Sequence, residues 1–230
     1  MESDEGIGGR VRRDAGRLPA LPRLGARRMS RVLSTLRRSW GEFVGPEATR
    51  VDHALTAVTT AVGAVAAPLV ARRHGADAAR ATVACLLAVD LSGGAYVNNT
   101  RACARWYERP GQGDAEHLLF AAVHVHPVAV AWLDRGARRR VPAPVWAAAH
   151  YGYLMASTVV VRRNRAVRRP LGVALTLGGL ALDLALGPSP RAPWFAWTYY
   201  PKLLLGHAAA SCWSDEDLDP TVGAGRTGSR

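Results

Sequence analysis

Apolar runs about as long as a lipid bilayer is thick recur through the middle of this chain. Residues 1–50 and 214–230 are polar and charged, whereas Ala, Leu, Val and Gly dominate the stretch between them. The runs are roughly 17 to 22 residues long, enough to cross a hydrocarbon core of about 30 Å as a helix. We place them at 51–71, 76–98, 117–133, 141–161, 171–187 and 193–213. The sequence therefore predicts an all-α integral membrane bundle of about six transmembrane helices.

A soluble all-α domain is the alternative, and it would show a polar face along each helix. The runs at 51–71, 141–161 and 171–187 show almost no polar face, which favours the membrane protein. The runs at 117–133 and 171–187 are short, as expected of tilted, buried or partly re-entrant helices.

The ends of the chain are predicted to lie outside this six-helix domain, which spans 51–213. Residues 1–26 mix Gly, Pro, Arg and acidic residues without periodicity, which is typical of a disordered tail. Residues 27–50 are predicted to form an amphipathic interfacial helix and a linker, with a solvated linker helix as the alternative. The apolar residues at helical spacing there are Met29, Val32, Leu33, Leu36, Trp40 and Phe43. Residues 214–230 are predicted to be a disordered acidic tail.

The positive charge of the chain is concentrated beside the apolar runs. The formal net charge is +12, and all but one of the 30 basic residues are arginine. Arginines cluster at 72–73, 138–140 and 162–169, in loops that flank the runs. We therefore expect the lipid bilayer as partner, with anionic headgroups at the Arg-rich loops, and no nucleic acid.

The same arginines bear on orientation, because cytoplasmic loops carry the excess of Lys and Arg. With six spans, the loops on the side of the two termini hold more arginines than the opposite loops, although 138–140 counts against this. The sequence predicts a multi-pass protein of the cell membrane with both termini cytoplasmic. The abundance of Arg and Ala favours a bacterial source.

Ionisable residues inside the apolar runs are the candidates for function, because each is energetically unfavourable in a bilayer. They are Asp90, His124, His126, His150, Asp183, Lys202 and His207. If successive helices alternate in direction, Asp90 and His207 fall in the half of the bundle nearer the termini, with His124 and His150 close to the midplane. His117 lies nearer the surface of that same half.

These depths predict a metal site. Zinc, iron and copper accept imidazole, and a carboxylate completes many hydrolytic or oxidative sites. The predicted ligands of a divalent metal are His117, His124, His150 and His207. Haem held between two imidazoles is the less favoured cofactor. The sequence has no HExxH motif, so the metal hypothesis depends on the inferred depths alone.

The second run ends in a dense polar stretch, DLSGGAYVNNT. Asp90, Gly94 and Asn98 repeat every four residues and therefore share a helix face. Asp90 and Asn98 are predicted catalytic residues, with Asp90 as general base or further metal ligand. A helix-packing notch with a hydrogen-bonded aspartate is the alternative.

Two histidines flank a predicted break in the third run. His117 and His124 are seven residues apart and share a helix face, whereas His126 is about 200° round from His124. Pro127 removes a backbone donor and leaves the carbonyl of Val123 without its helical partner. We therefore rank His124 above His126 as a site residue.

The fifth and sixth runs are joined by the short loop GPSPRAP, which predicts an antiparallel hairpin. This arrangement brings Asp183 and Lys202, the only lysine of the chain, within reach of each other. The pair is interpreted as a staple between two helices, or alternatively as part of an ion pathway.

Three functions are compatible with these residues. The first is a metal-dependent intramembrane enzyme acting on a lipid-like substrate. The second is a small transporter or proton-coupled permease that uses Asp90 and the histidines as a relay. The third is a non-catalytic scaffold or regulatory subunit whose polar groups hold helices together.

Overall fold

Helices account for most of the chain. The structure is a computed structural model that describes residues 34–35, 38–41 and 43–219. Within these ranges the regular elements are all helical, with no strand. The all-α prediction is confirmed for the described residues.

The chain divides into two units, residues 1–39 and 40–230. In the first unit the described residues are helical. The predicted tail at 1–26 and the first part of the predicted amphipathic helix lie outside the described residues, so both stay predictions.

The second unit is a succession of helices joined by short loops. The helices are α1 (Arg50–Arg73), α2 (Ala78–Val97), α3 (Arg101–Tyr107), α4 (Asp114–Val123), α5 (His126–Leu133), α6 (Ala143–Arg163), α7 (Arg168–Leu186), α8 (Phe195–Tyr200) and α9 (Asp215–Leu218), with a 3₁₀ turn at Arg165–Val167 and a π-helix at Pro201–Ala208.

Four helical stretches are long and apolar enough to cross a membrane. They are Arg50–Arg73, Ala78–Val97, Asp114–Leu133 and Arg165–Leu186. Helix α6 has 21 residues but falls outside this group. The last predicted run, 193–213, is not one α-helix, because its helical part comprises the six residues of α8 and the eight of the π-helix.

The outer surface of the second unit is apolar, whereas its interior holds charged and polar side chains. Val62, Leu86 and Leu177 are exposed, as are many other branched side chains. Lys202 and His207 are buried. An apolar core lies inside as well, so the feature that departs from water-soluble proteins is the distribution of many branched apolar side chains over the exposed surface. It is the distribution expected of a protein whose solvent is lipid.

Small residues and caps define the hairpin of α1 and α2. Thr49 and Asp52 form a capping box at the start of α1, in which Thr49 Oγ1 accepts from the Asp52 amide. Asp77 caps α2 by accepting from the Arg80 amide at 2.8 Å. Gly63 packs against Ser92, so the two backbones approach closely.

The third run contains the break that Pro127 predicts. Helix α4 ends at Val123 and α5 begins at His126. His124 closes the end of α4 through its ring, whose Nδ1 lies 2.5 Å from the carbonyl oxygen of Phe120. The backbone between the two helices redirects the side chains that follow, including that of His126.

Arginines tie the loops together at each end of the bundle. At one end Arg191 donates to the carbonyl oxygens of Leu133 and His74. At the other end Arg168 donates to the carbonyl oxygens of Ala209 and Ala210. We call the first the Arg191 end and the second the Arg168 end.

The first residues of the acidic tail are ordered against this second end. Ser214 caps the single turn of α9 through a capping box with Asp217. Asp215 forms an ion pair with Arg168 at 2.6 Å. The predicted disorder from residue 214 onward therefore does not apply to 214–219, and the remainder of the tail lies outside the described residues.

Candidate functional site

Three ionisable side chains meet in the interior of the second unit. Lys202 Nζ lies 2.5 Å from Asp90 Oδ2, and His126 Nε2 lies 3.1 Å from the same oxygen. The lysine side chain is 2% exposed and the aspartate side chain 39% exposed. We call Asp90, His126 and Lys202 the central cluster. It joins three separate elements: α2, α5 and the π-helix.

Glycine makes room for the lysine. A Cβ atom at Gly94, one turn after Asp90, would lie 2.6 Å from Lys202 Cε. Any side chain at 94 would therefore displace the aliphatic part of Lys202. Gly94 of DLSGGAYVNNT therefore forms a notch in α2, and this notch holds the side chain of Lys202 from the π-helix.

Two asparagines hold the backbone that carries Lys202. Asn98 Nδ2 donates to the Lys202 carbonyl oxygen at 3.2 Å, and Asn99 Nδ2 donates to that of Pro201 at 3.0 Å. These carbonyls lie at the start of the π-helix. The structure thus places Asn98, a predicted catalytic residue, where it positions Lys202 through the backbone.

A row of aromatic rings extends from the central cluster towards the Arg168 end. The ring of His126 stacks on that of His124, with centroids 5.1 Å apart. The His124 ring contacts Phe120 at 4.4 Å, and Phe120 in turn stacks on His207 at 3.8 Å. His207 then contacts His117 at 4.6 Å. We call these four histidines and Phe120 the histidine row.

The row ends in a buried ion network. His117 Nε2 lies 3.6 Å from Glu108 Oε1, and this carboxylate accepts a hydrogen bond from Arg162 at 2.6 Å. Arg162 also donates to Asp114 at 2.8 Å, and the Asp114 side chain is half exposed. The network therefore connects the buried histidines with the surface at the Arg168 end.

The π-helix brings Lys202 and His207 together. In an α-helix, residues five apart point about 140° away from each other. In a π-helix each amide bonds to the carbonyl five residues back, so residues five apart lie nearly above one another. Lys202 contacts α2, and His207 contacts α4. π-Helical turns are rare and occur frequently at functional sites.

A second polar cluster lies nearer the Arg191 end. His150 Nδ1 lies 2.7 Å from the Tyr200 hydroxyl, and His150 Nε2 lies 3.4 Å from Asp183 Oδ1. His150 and Asp183 are both buried. We call His150, Asp183 and Tyr200 the Asp183 cluster. Arg139 forms an ion pair with Asp134. Burial lowers the pKa of Arg139, and the nearby Asp183 carboxylate opposes this shift.

Two tyrosines separate the Asp183 cluster from the central cluster. Tyr199 donates from its hydroxyl to the His124 carbonyl oxygen at 2.9 Å, so it contacts the histidine row. Tyr200 bonds His150 on the other side. The two tyrosine rings contact each other with centroids 5.4 Å apart, and both are fully buried.

The predicted pair of Asp183 and Lys202 is wrong. Lys202 pairs with Asp90, and Asp183 lies beside His150. The hairpin argument assumed one continuous α-helix for the last run. That argument does not fix the rotation of the helix about its axis, and Lys202 packs against Gly94 of α2.

The ranking of His124 above His126 as a site residue stays a prediction, but the histidine that contacts the central aspartate is His126. His126 contacts Asp90, whereas His124 is bonded to the backbone of its own helix. The expected separation of about 200° holds for an unbroken helix. Because the helix breaks after Val123, both rings lie on one side and stack.

The four predicted metal ligands are divided between two places. His117 and His207 are in contact, and His124 lies across Phe120 from them, but His150 belongs to the Asp183 cluster. Among the described residues no group of three His, Cys, Asp or Glu is arranged to hold a metal ion. None of the four ring nitrogens of His117 and His207 has a hydrogen-bond partner within this part of the chain.

Sequence reasoning missed Glu108, Arg162 and the tyrosine pair. Glu108 and Arg162 are predicted loop or anchor residues, yet both side chains are less than a tenth exposed. An acidic residue between two spans, in the stretch WYERPG, was the available signal for Glu108. Tyr199 and Tyr200 stand directly before Pro201, which was the available signal for a change in the helix.

Comparison with protein-family models, with curated proteins and with solved structures gives no match for this chain. The function is therefore inferred from the arrangement of its side chains.

The approach of the π-helix to α2 gives a first prediction. A Cβ atom at Gly206 would lie 2.7 Å from the backbone oxygen of Asn98. Gly206→Ala is therefore expected to destabilise the protein by about 1 to 3 kcal/mol, because backbone must move to relieve overpacking. Thermal unfolding in detergent measures this loss. Gly152→Ala is the matched control, since a Cβ atom there meets nothing within 4 Å, and equal stability of the two variants would contradict the close approach.

Proposed function

We propose that this protein is a small proton-coupled membrane transporter in which protons move along the histidine row to Asp90. One observation carries the proposal: a line of buried histidines leads from the surface-connected Glu108 network to the central cluster. Phe120 lies between His124 and His207 and cannot carry a proton, so the proposed transfer across it goes through water. Chains of Asp, Glu and His inside a membrane are typical of proton relays in pumps and transporters. The six predicted spans and the cytoplasmic location of both termini form part of this proposal.

Asp90 is the proposed proton acceptor of the relay. A proton that reaches His126 can pass to Asp90 Oδ2, which the imidazole contacts at 3.1 Å. The neutral carboxyl group then attracts Lys202 less strongly, since the ion pair between them has lost its negative member. Protonation at one atom is thereby coupled to movement of the π-helix that carries the lysine.

The tyrosine pair is the proposed barrier between the two sides. Tyr199 contacts the histidine row, and Tyr200 contacts the Asp183 cluster. A hydroxyl can donate a proton and accept one, but burial of both rings keeps water out. Such a barrier prevents free leakage of protons, so the flux expected without a transported substrate is slow but still above that of empty liposomes.

The proposal is tested with purified protein in liposomes loaded with a pH-sensitive dye. A potassium diffusion potential, negative inside, is applied with valinomycin, and acidification of the lumen is followed. Wild-type protein is expected to give inward proton flux above that of empty liposomes, and Asp90→Asn is expected to abolish it. Glu47→Gln is the control, because Glu47 is a surface carboxylate paired with Arg105. Absence of flux for the wild type, or equal flux for Asp90→Asn, contradicts the proposal.

The contact between His117 and His207 favours a second candidate, the predicted metal-dependent enzyme acting on a lipid-like substrate. Two buried imidazoles with unused nitrogens fit the donor preference of zinc or copper. Glu108, the nearest carboxylate, is already bonded to Arg162 and Arg165, so it is a weak third ligand. Elemental analysis of purified protein distinguishes the candidates, since about one metal ion per chain, lost in His117→Phe, would support the enzyme.

Cysteine reactivity checks the proposed orientation. Burial raises the pKa of the Cys103 thiol to about 12, so this thiol stays protonated and poorly reactive at neutral pH. Cys212 is exposed near the Arg168 end. A membrane-impermeant maleimide is expected to label Cys212 in inside-out vesicles and not in intact cells. Cys212→Ser is the control, and labelling of Cys212 from outside intact cells would reverse the orientation.

A further inference from the structure

A cavity at the Arg168 end is lined by three arginines, and none of its lining residues belongs to the histidine row. Its volume is about 430 Å³. The lining residues are Arg165, Ala166, Arg168, Arg169, Pro170, Val173, Ser211 and Asp215. Three guanidinium groups therefore face one carboxylate, and this carboxylate is paired with Arg168. The cavity carries net positive charge.

The three arginines of this cavity differ in how many of their guanidinium donors are already bonded within the protein. Arg168 is saturated, because it donates to three backbone carbonyls and to Asp215. Arg169 donates only from Nε, to the Ser211 carbonyl oxygen at 3.2 Å. Arg165 is half exposed and donates from one Nη atom to Glu108. Arg165 and Arg169 thus keep guanidinium donors available at the mouth of the cavity.

A buried hydroxyl in the wall of the cavity lacks a partner. Ser211 is 8% exposed, and its Oγ makes no hydrogen bond within the described residues. An unsatisfied buried hydroxyl is unfavourable and is rare without a functional or structural reason. Ser211 lines the cavity, and its hydroxyl lies close to Gly172 of α7.

An apolar track leads away from the cavity along α7. Val173 lines the cavity, and Leu177 and Leu184 follow at intervals of four and seven residues, which places them on the same helix face. All three are exposed. Helix α7 belongs to a stretch long enough to cross a membrane, so this face meets lipid chains.

We propose that this cavity binds the phosphate group of an anionic phospholipid, whose acyl chains follow the Val173–Leu177–Leu184 face. Arginine donors match phosphate oxygens in geometry and charge. Ser211 Oγ supplies a neutral donor to the same group. The exposed apolar face continuous with the cavity is what favours a lipid over free inorganic phosphate.

Native mass spectrometry of the full-length protein in detergent tests the site with phosphatidylglycerol as the probe. Each basic residue near a membrane surface strengthens binding of an anionic lipid severalfold, so Arg165→Gln/Arg169→Gln is expected to weaken binding at least tenfold. Ser211→Ala is expected to weaken it severalfold while leaving thermal stability unchanged, because the hydroxyl has no partner to lose. Arg163→Gln is the matched control, since this exposed arginine at the end of α6 is two residues before Arg165 but does not line the cavity.

Each outcome decides the proposal. Weaker phosphatidylglycerol binding by the double variant and by Ser211→Ala, but not by Arg163→Gln, supports it. Equal binding by all four proteins overturns it, because the lipid would then recognise general surface charge. A separate arm measures thermal stability with inorganic phosphate at matched concentration. Stabilisation by phosphate as large as that by phosphatidylglycerol overturns the lipid assignment in favour of a soluble phosphate ligand.

Discussion

Asp90→Asn is expected to destabilise the protein by about 3 kcal/mol, whereas Lys202→Met should be less destabilising than that. The asymmetry follows from exposure, because the lysine side chain is 2% exposed and the aspartate 39% exposed. Loss of Asp90 leaves an unpaired ammonium group with little access to solvent. Loss of Lys202 leaves a carboxylate that keeps His126 at 3.1 Å.

The double variant Asp90→Asn/Lys202→Met completes this test. Removal of both charges is expected to recover most of the stability lost in Asp90→Asn, because no unpaired buried charge remains. Thermal unfolding in detergent gives the four stabilities that the cycle needs. Additive losses in the double variant would show that the two side chains do not form an ion pair. The double variant should still lack proton flux, since it has no acceptor at position 90.

His207→Phe is expected to reduce proton flux by about a hundredfold, the scale of a lost proton-transfer group. Stability is expected to change in the opposite direction. His207 is buried among Phe120, Tyr107 and His117, and its two ring nitrogens make no hydrogen bond in the described part of the chain. Phenylalanine fills a similar volume without placing unsatisfied polar atoms in the interior, so the melting temperature should rise.

Lower proton flux together with a higher melting temperature in His207→Phe would show that the histidine row is a proton relay and not a structural scaffold. In a scaffold, a substitution that raises stability leaves any activity unchanged or improves it. The control is His74→Gln, because His74 is exposed at the end of α1 and contributes its backbone carbonyl to Arg191. Unchanged flux in His207→Phe would contradict the relay and favour the structural interpretation of the row. An equal loss of flux in His74→Gln would also contradict the relay.

The central cluster shows where sequence reasoning succeeded and where it failed. Asp90 and the adjacent Gly94 were recognised, because a charge inside an apolar run is unfavourable and its helical neighbours follow from spacing. Their partner was assigned to the wrong aspartate. Pairing between helices depends on how each helix is rotated about its axis, and the packing of the last run against Gly94 directs Lys202 to Asp90.

The break between α4 and α5 also separates what the sequence predicted from what depends on packing. Pro127 predicted a break, since proline cannot supply the backbone donor that a helix needs. The direction of the chain after the break depends on the elements packed around it, such as Tyr199, whose hydroxyl binds the His124 carbonyl oxygen. Only that packing places His126 against Asp90.

The sequence alone determined that the described chain is helical, that apolar stretches long enough for a membrane are present, and that ionisable residues lie within them. These properties follow from local composition and from the period of the α-helix. The tertiary structure decided which of these residues touch. It joined Lys202 to Asp90, His117 to His207, and His150 to Asp183. The physical reason is that contacts between helices depend on rotation, breaks and close approach, which arise from packing between segments distant in the chain.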